Sequence, residues 1–488
     1  MRYRKNIRDL KRNSTMQRIN TSKLATAIVT LLLTTPLWAT NGYFTHGTGT
    51  KNKAMAGSGL AMPEDAISVA NNPAAALLAA GKYDLGIAVF SPLRHYKTGD
   101  SLANGHGGAF TIGPNNIDSD KNYFFIPHMA GAWQINDKSA WSASFYGKGG
   151  MNTRWEGGTA SFDPDGPGPA PVMTIPGTYG GALFGDGDNG TAGVDLSQAF
   201  LEIGYARSAG EKFTWGVSFV GVMQVFSARG VGAFAGYTET FAASGGTVFP
   251  ENLSNNGHDQ SYGFGGKFGF QWDVTEKVTF AASYQSEINM SEFDDYADLF
   301  AGQGDFDIPQ DLKVGITFRP NPGLALNFDV ENIWYGDIDA IANPVRNVYA
   351  CPTAGVGGTD LSSCFGGNNG GGFGWDDMTV YKVGAQWTSG NDWTWRAGFS
   401  HGDQPIPDNE AMFNILAPAT IEDHLTFGFT KALESGNEWS MSFMYALNKK
   451  VTGPASMNPM TSGNPFDPTQ TVSIDMNQWE IEFGFGWR

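Results

Sequence analysis

The residues able to do chemistry in this chain are few and scattered. Seven histidines stand at positions 46, 95, 106, 128, 258, 401 and 424, and none belongs to an HExxH or other paired metal-ligand spacing. No G-x-S-x-G elbow presents a nucleophilic serine, so the chain reads as a non-enzyme. The enzymatic alternative is a barrel-embedded lipid hydrolase whose serine, histidine and acid meet only in the fold. Asp186-Gly-Asp188-Asn-Gly190 resembles part of a Ca²⁺ loop but lacks the terminal Glu of the full pattern, and an acidic turn is the expected reading. No cofactor and no metal follow from these residues. Cys351 and Cys364 flank a Gly-rich stretch (CPTAGVGGTDLSSC), which suits one disulfide closing a surface loop in an oxidising compartment, with two free thiols as the alternative. Lys267, Lys382 and Arg396 are cations that could meet a ligand carboxylate, and no feature chooses among them; a neutral ligand would need none.

Stepping from these side chains to the segments that carry them, the dominant pattern is alternation. In Gln478–Arg488 (QWEIEFGFGWR) one face carries Trp479, Ile481, Phe483, Phe485 and Trp487, while the other carries Gln478, Glu480, Glu482 and two glycines. Such a strand has oil on one side and water on the other. Fourteen segments show this period: 83–92, 122–134, 139–148, 196–207, 213–226, 261–273, 277–288, 308–319, 323–335, 377–388, 392–401, 420–432, 436–448 and 475–487. Lys313, Asp329, Glu331, Ser440 and Ser442 fall on inward faces, where a dry core would penalise them and a wet lumen would not. Lipid is the simplest solvent for so many apolar faces, so the expected fold class is all-β: a 14-stranded antiparallel transmembrane β-barrel.

The connections support that choice. Those at 136–138, 208–212, 274–276, 320–322, 388–391 and 432–435 are tight, whereas 149–195, 227–260 and 336–376 are long and rich in Gly, Asn, Asp and Pro. Short periplasmic turns and long outer loops are the habit of outer-membrane barrels, and an even strand number puts both barrel ends on the periplasmic side. A soluble propeller or sandwich would explain the alternation but not this asymmetry.

Targeting agrees with it. Arg2, Arg4, Lys5, Arg8, Lys11, Arg12, Arg18 and Lys23 precede an apolar run, 24–33, that is too short to span a bilayer as a helix, so residues 1–39 read as a signal peptide cleaved after Ala39. An uncleaved anchor is the alternative. The formal charge of −17 becomes more negative without this basic segment, which argues against nucleic acid as a partner. Residues 40–81, small and sparsely charged, precede the first strand and are expected to form a hatch, or plug, inside the lumen rather than a solvated lead-in. Residues 82–488 then make the barrel and its loops.

In this hatch segment the sequence resembles the FadL family of outer-membrane transporters for long-chain fatty acids and other hydrophobic compounds, which includes TodX-like hydrocarbon carriers. The resemblance is carried by Asn41-Gly42-Tyr43-Phe44, Gly57-Ser58-Gly59-Leu60-Ala61, Glu64-Asp65-Ala66 and Asn72-Pro73-Ala74, the last being similar to the family's NPA hatch motif. Further on, Trp375-Asp376-Asp377, Val383-Gly384-Ala385, Trp395-Arg396-Ala397-Gly398 and Pro405-Ile406-Pro407-Asp408 resemble the family's late strands and sixth loop. The chain departs in ending Trp487-Arg488 rather than on an aromatic residue, and in the length of its loops after the third and ninth strands.

The resemblance implies passive uptake of hydrophobic small molecules, captured in the outer loops and released sideways into outer-membrane lipid at a kinked third strand, by a monomer. Gly147, Gly149 and Gly150, around Lys148, favour such a kink, although they also suit an ordinary loop approach. The expected docking groove lies between residues 231–249, with Phe234, Tyr237, Phe241 and Phe249, and residues 294–306, with Leu299 and Phe300. A general porin and a surface adhesin are the competing functions.

Overall fold

The computed structural model describes residues 41–99, 109–163, 168–184, 190–353, 357–454, 456–457 and 471–488. The expected signal peptide at residues 1–39 and the core of the acidic turn at 186–190 lie outside them. Among the described residues, fourteen long strands form the wall: β1 Tyr83–Thr98, β2 Phe124–Asn136, β3 Ser139–Asn152, β4 Gly193–Ser208, β5 Phe213–Arg229, β6 Asp259–Asp273, β7 Val278–Gln285, β8 Asp311–Asn321, β9 Leu324–Ile333, β10 Met378–Ser389, β11 Trp393–His401, β12 Asp423–Ala432, β13 Glu438–Pro454 and β14 Thr471–Trp487. Each pairs antiparallel with the next, and β14 pairs back onto β1 from Tyr83↔Trp487 to Thr98↔Val472. The closed 14-stranded barrel anticipated from the alternation is therefore what the chain forms. Closure leaves no strand of the wall without a neighbour on each side, which is what lipid demands of backbone N–H and C=O groups.

The two faces separate as the alternation requires. Phe264 is 69% exposed and Phe219 60%, and the two rings stack 6.0 Å apart on the outside, an arrangement only lipid accommodates. Near the tight turns, Tyr83 stacks on Trp487 at 5.7 Å and Trp133 on Trp141 at 4.1 Å, part of an aromatic belt at the membrane boundary. Inward positions are polar or glycine where the wall meets residues 41–81, as at Glu202, Asp329 and Glu482, and apolar toward the outer loops, as at Phe90, Phe200 and Phe226. The described parts of the remaining connections lie at the opposite end, among them 109–123, 153–163, 230–258, 286–310, 334–353, 357–377 and 402–422, and the short strands Ala109–Ile112, Thr159–Asp163, Met173–Pro176 and Ser456–Met457 pair into a small separate sheet.

Residues 41–81 run through the lumen with helical turns α1, Thr50–Lys53, and α2, Ala75–Leu78. The second turn follows Asn72-Pro73 directly and ends within the stretch Ala74–Ala80. Neither turn is long enough to be stable alone, so this segment owes its shape to the wall around it.

Candidate functional site

The lumenal segment is fastened by side chains from the whole circumference. Asn72 accepts from the Ala74 amide at 3.0 Å and donates to the Phe270 carbonyl of β6 at 3.1 Å, so one side chain braces the turn ahead of α2 and ties it to the wall. Lys51 pairs with Glu438 at 2.5 Å, Lys53 with Glu480 and Glu482 at 3.0 and 2.7 Å, and the Leu60 amide donates to Asp329 at 2.9 Å. Lys267, Lys382 and Arg396 also lie at this seam. Lys267 donates to the Ala70 carbonyl at 2.7 Å and pairs with Glu202 at 2.9 Å. Lys382 donates to the His46 carbonyl at 2.9 Å and pairs with Glu331 at 2.5 Å, and Arg396 holds Glu64 at 2.8 Å. Buried pairs add little net stability, but removing one partner costs ~3–5 kcal/mol, so they fix one seating of the segment against others.

Above this seam, aromatic rings in tilted or edge-to-face contact pile into two continuous stacks that converge on Tyr43. In one, Phe234 meets Phe413 at 5.7 Å, Phe413 meets Phe373 at 5.4 Å, Phe373 meets Trp375 at 6.1 Å, and Trp375 meets Tyr43 at 6.1 Å. In the other, Phe226 meets Phe300 at 4.8 Å, Phe300 meets Phe306 at 4.9 Å, and Phe306 meets Tyr43 at 6.2 Å. The Tyr335 hydroxyl, accepting from the Tyr43 amide at 3.2 Å and donating to the Asn41 carbonyl at 2.6 Å, sets the height of that junction.

Of the residues expected at a docking groove, Phe234 and Phe300 are buried in these stacks, Leu299 is buried in the same apolar cluster, Tyr237 and Phe241 are half-buried, and Phe249 is 56% exposed at the loop tip, 6.1 Å from Phe241. The two loops meet edge to edge through Thr240 and Asp298 at 2.5 Å and Gln303 and Glu239 at 2.8 Å. A third loop, 334–377, supplies Tyr335, Phe365, Phe373 and Trp375 between them. Sequence reasoning missed these four together with Phe306 and Phe413, because they sit where alternation stops. The aromatic residues flanking strand ends, as in Trp334-Tyr335 and Gly374-Trp375, were the available signal. Cys351 and Cys364 are bonded in the same loop, with Cα atoms 4.8 Å apart.

At the foot of the stacks the wall is irregular. Pairing of β2 with β3 stops at His128↔Tyr146, although β2 continues outward to Phe124 and β3 to Asn152. In the same stretch the register of β3 against β4 shifts between Gly147↔Ala199 and Gly149↔Gln198, which makes Lys148 the extra residue of a bulge. Gly147, Gly149 and Gly150 thus lie at the bulge and beside the parted strands. The edge that β2 vacates is taken by the lumenal segment: the Thr45 amide donates to the Lys148 carbonyl at 2.8 Å, and the Gly150 amide to the Tyr43 carbonyl at 3.0 Å.

Two cavities bracket the site. One of about 30 Å³, lined by Gly42, Phe90, Arg94, Met151, Trp375 and Met476, touches the junction and holds no more than a water or two. Arg94 there donates to the Asn152 and Lys121 carbonyls. The other, about 430 Å³, lies at the tight-turn end and is lined by Lys51, Glu64, Asp65, Lys82, Arg319, Arg396 and Glu438. Its charged walls suit water rather than an apolar ligand. Among the described residues, no group of His, Cys, Asp and Glu is placed to hold a metal ion.

A closed antiparallel barrel with an apolar outer face, an aromatic belt and an internal plug of its own chain held by charged wall residues defines the class: an outer-membrane β-barrel of the transport type. Residues 220–476, more than half of the chain, match the family described as outer membrane protein transport protein (OMPP1/FadL/TodX), and the chain belongs to that family. No curated protein matches it by sequence. Among solved structures it resembles the toluene transporter TodX of P. putida, with a TM-score of 0.57 at 16% identity, covering 90% of this chain and 98% of that one. It also resembles a Pseudomonas aeruginosa FadL homologue (0.57, 14%, 91% and 99%) and the Ralstonia pickettii toluene transporter TbuX (0.53, 16%, 91% and 98%). Such identities speak to the fold they share.

Proposed function

We propose that this protein is a passive outer-membrane channel for hydrophobic small molecules, acting as a monomer with no cofactor or energy source. The observation that carries the reading is the pair of aromatic stacks running from the outer loops to Tyr43, above a plug that bars straight passage. A ligand entering between such rings keeps apolar contact throughout, and each buried CH₂ favours it by ~0.8 kcal/mol over water. Release follows sideways, between β2 and β3 beside the Lys148 bulge, into lipid, so the ligand never crosses the charged cavity below. Phe234, Tyr237, Phe241, Phe249, Leu299 and Phe300 take part in capture, and Asn72-Pro73-Ala74 keeps residues 40–81 seated as the hatch. Residues 1–39 act as a cleaved signal peptide.

Lys267, Lys382 and Arg396 serve the hatch in this reading. A ligand carboxylate would have to displace Glu202, Glu331 or Glu64 to reach them. That favours neutral hydrocarbons over fatty acids, in line with the toluene transporters among the structural neighbours. Uptake of labelled toluene and of a labelled long-chain fatty acid, in cells lacking their own carrier, tests it. Toluene uptake above that of empty cells supports the channel. Ion conductance through wild-type barrels without uptake of either compound would replace it by a porin. A thiol-reactive linker joining Phe125→Cys to Gly147→Cys tests the side exit: uptake unaffected by the link would end that part of the proposal.

A further inference from the structure

We propose that Lys148 is the positioning residue of the gate: side chain and carbonyl together hold residues 43–45 against the β3 edge that β2 leaves open, and transport requires that hold to be released. The inference rests on side exit between β2 and β3. Four observations place Lys148 there. As the extra residue of the bulge it has no partner in β4, and Gly149 beside it also faces the lumen, where a Cβ would come within 3.0 Å of the Tyr43 ring. Its carbonyl accepts from the Thr45 amide at 2.8 Å. Its ammonium lies over the Phe44 ring, 4.3 Å from the centroid, and 5.7 Å from that of Phe200 in β4. The same ammonium donates to Gln285 of β7 at 2.9 Å and pairs with Asp311 of β8 on another part of the wall.

One buried side chain thus joins the bulge, the hatch and two more strands. A lysine suits this task because its long flexible stem carries one ammonium from the bulge to the Phe44 ring and to partners on two other strands at once. A ligand arriving at Tyr43 meets Phe44 next, and wedging under that ring breaks the cation–π contact and frees residues 43–45 from the strand edge. The hatch then yields at its start while the ion pairs of Lys51, Lys53 and Glu64 keep the remainder seated.

The experiment is amide hydrogen exchange of the full-length barrel in lipid nanodiscs, followed in the peptide of residues 41–50, with toluene uptake measured in parallel. Lys148→Met is expected to accelerate exchange in that peptide about thirtyfold, the factor set by a desolvated cation–π contact. Exchange in residues 66–81 should stay as in wild type, uptake should rise, and Lys148→Arg should restore protection. If the Met variant does not fold, Phe44→Leu reads the same contact from the other side and is expected to give the same acceleration. Unchanged exchange at residues 41–50, or acceleration spread over the whole hatch with no rescue by Arg, overturns the proposal. Exchange needs no ligand, so a failed side exit, read from the Phe125→Cys/Gly147→Cys link, is distinguishable from a failed latch.

Discussion

Gly398 of β11 lies against the main chain of Met55 so closely that a Cβ there would fall 2.2 Å from the Met55 carbonyl carbon. The wall is glycine at that point because the hatch backbone needs the space; Gly216 of β5 stands likewise against Pro73, at 2.5 Å. Gly398→Ala is therefore expected to unseat the hatch by about 1–3 kcal/mol, the usual cost of overpacking, and to open ion conductance in planar bilayers. Gly236→Ala, where nothing lies within 4 Å, is the control and should stay closed.

Asn72→Ala removes the bond to the Phe270 carbonyl and the brace of the turn ahead of α2 together. The expected loss is about 1–2 kcal/mol of hatch stability. Uptake should fall at equal surface expression, and wild-type uptake in this variant would show that Asn72 does not set the gate.

The disulfide holds the loop whose Phe365 exchanges backbone bonds with residues 237 and 239, each at 2.9 Å. Replacing both Cys351 and Cys364 by Ser is expected to cost the outer loops about 2–4 kcal/mol. Proteolysis on whole cells should then cut within residues 334–377, while the heat-modifiable migration of the barrel stays unchanged.

Glu410, in the outer loop 402–422, donates nothing and accepts from the Val345 amide at 3.0 Å, joining that loop to 334–377. Burial raises its carboxyl to about 7, against the opposing pull of the Val345 amide and Arg346. Because the folded value lies above the unfolded one, its contribution is full below the unfolded range near 4.5 and is lost as pH rises through about 7. Hydrogen exchange in residues 402–422 should be faster at pH 8 than at pH 5 after correction for intrinsic rates. Glu410→Gln should abolish that difference.

The wall was legible in the sequence almost strand for strand. Alternation such as Leu312, Val314, Ile316 and Phe318 against Lys313, Gly315 and Thr317 is a local property, and the lengths of the turns fixed which end is which. The glycines around Lys148 were visible as a place where a strand could break its register. That β2 would part from β3 there, and that Tyr43 and Thr45 would take the vacated bonds, was not, since those partners lie about a hundred residues apart in the chain. The docking residues illustrate the same divide. Phe234 and Phe300 could be picked out as apolar residues in outer loops, but not the loop 334–377 that packs between them.

What the sequence by itself determined is a membrane-spanning 14-stranded barrel with a small-residue segment ahead of its first strand, because strand period, turn length and targeting are all written within a few residues of one another. Only the tertiary structure decided where that segment sits and what Lys267, Lys382 and Arg396 hold. It also decided that two aromatic stacks end on Tyr43 beside the Lys148 bulge. Barrel closure brings together side chains hundreds of positions apart, and no local pattern encodes which of them will meet across a lumen.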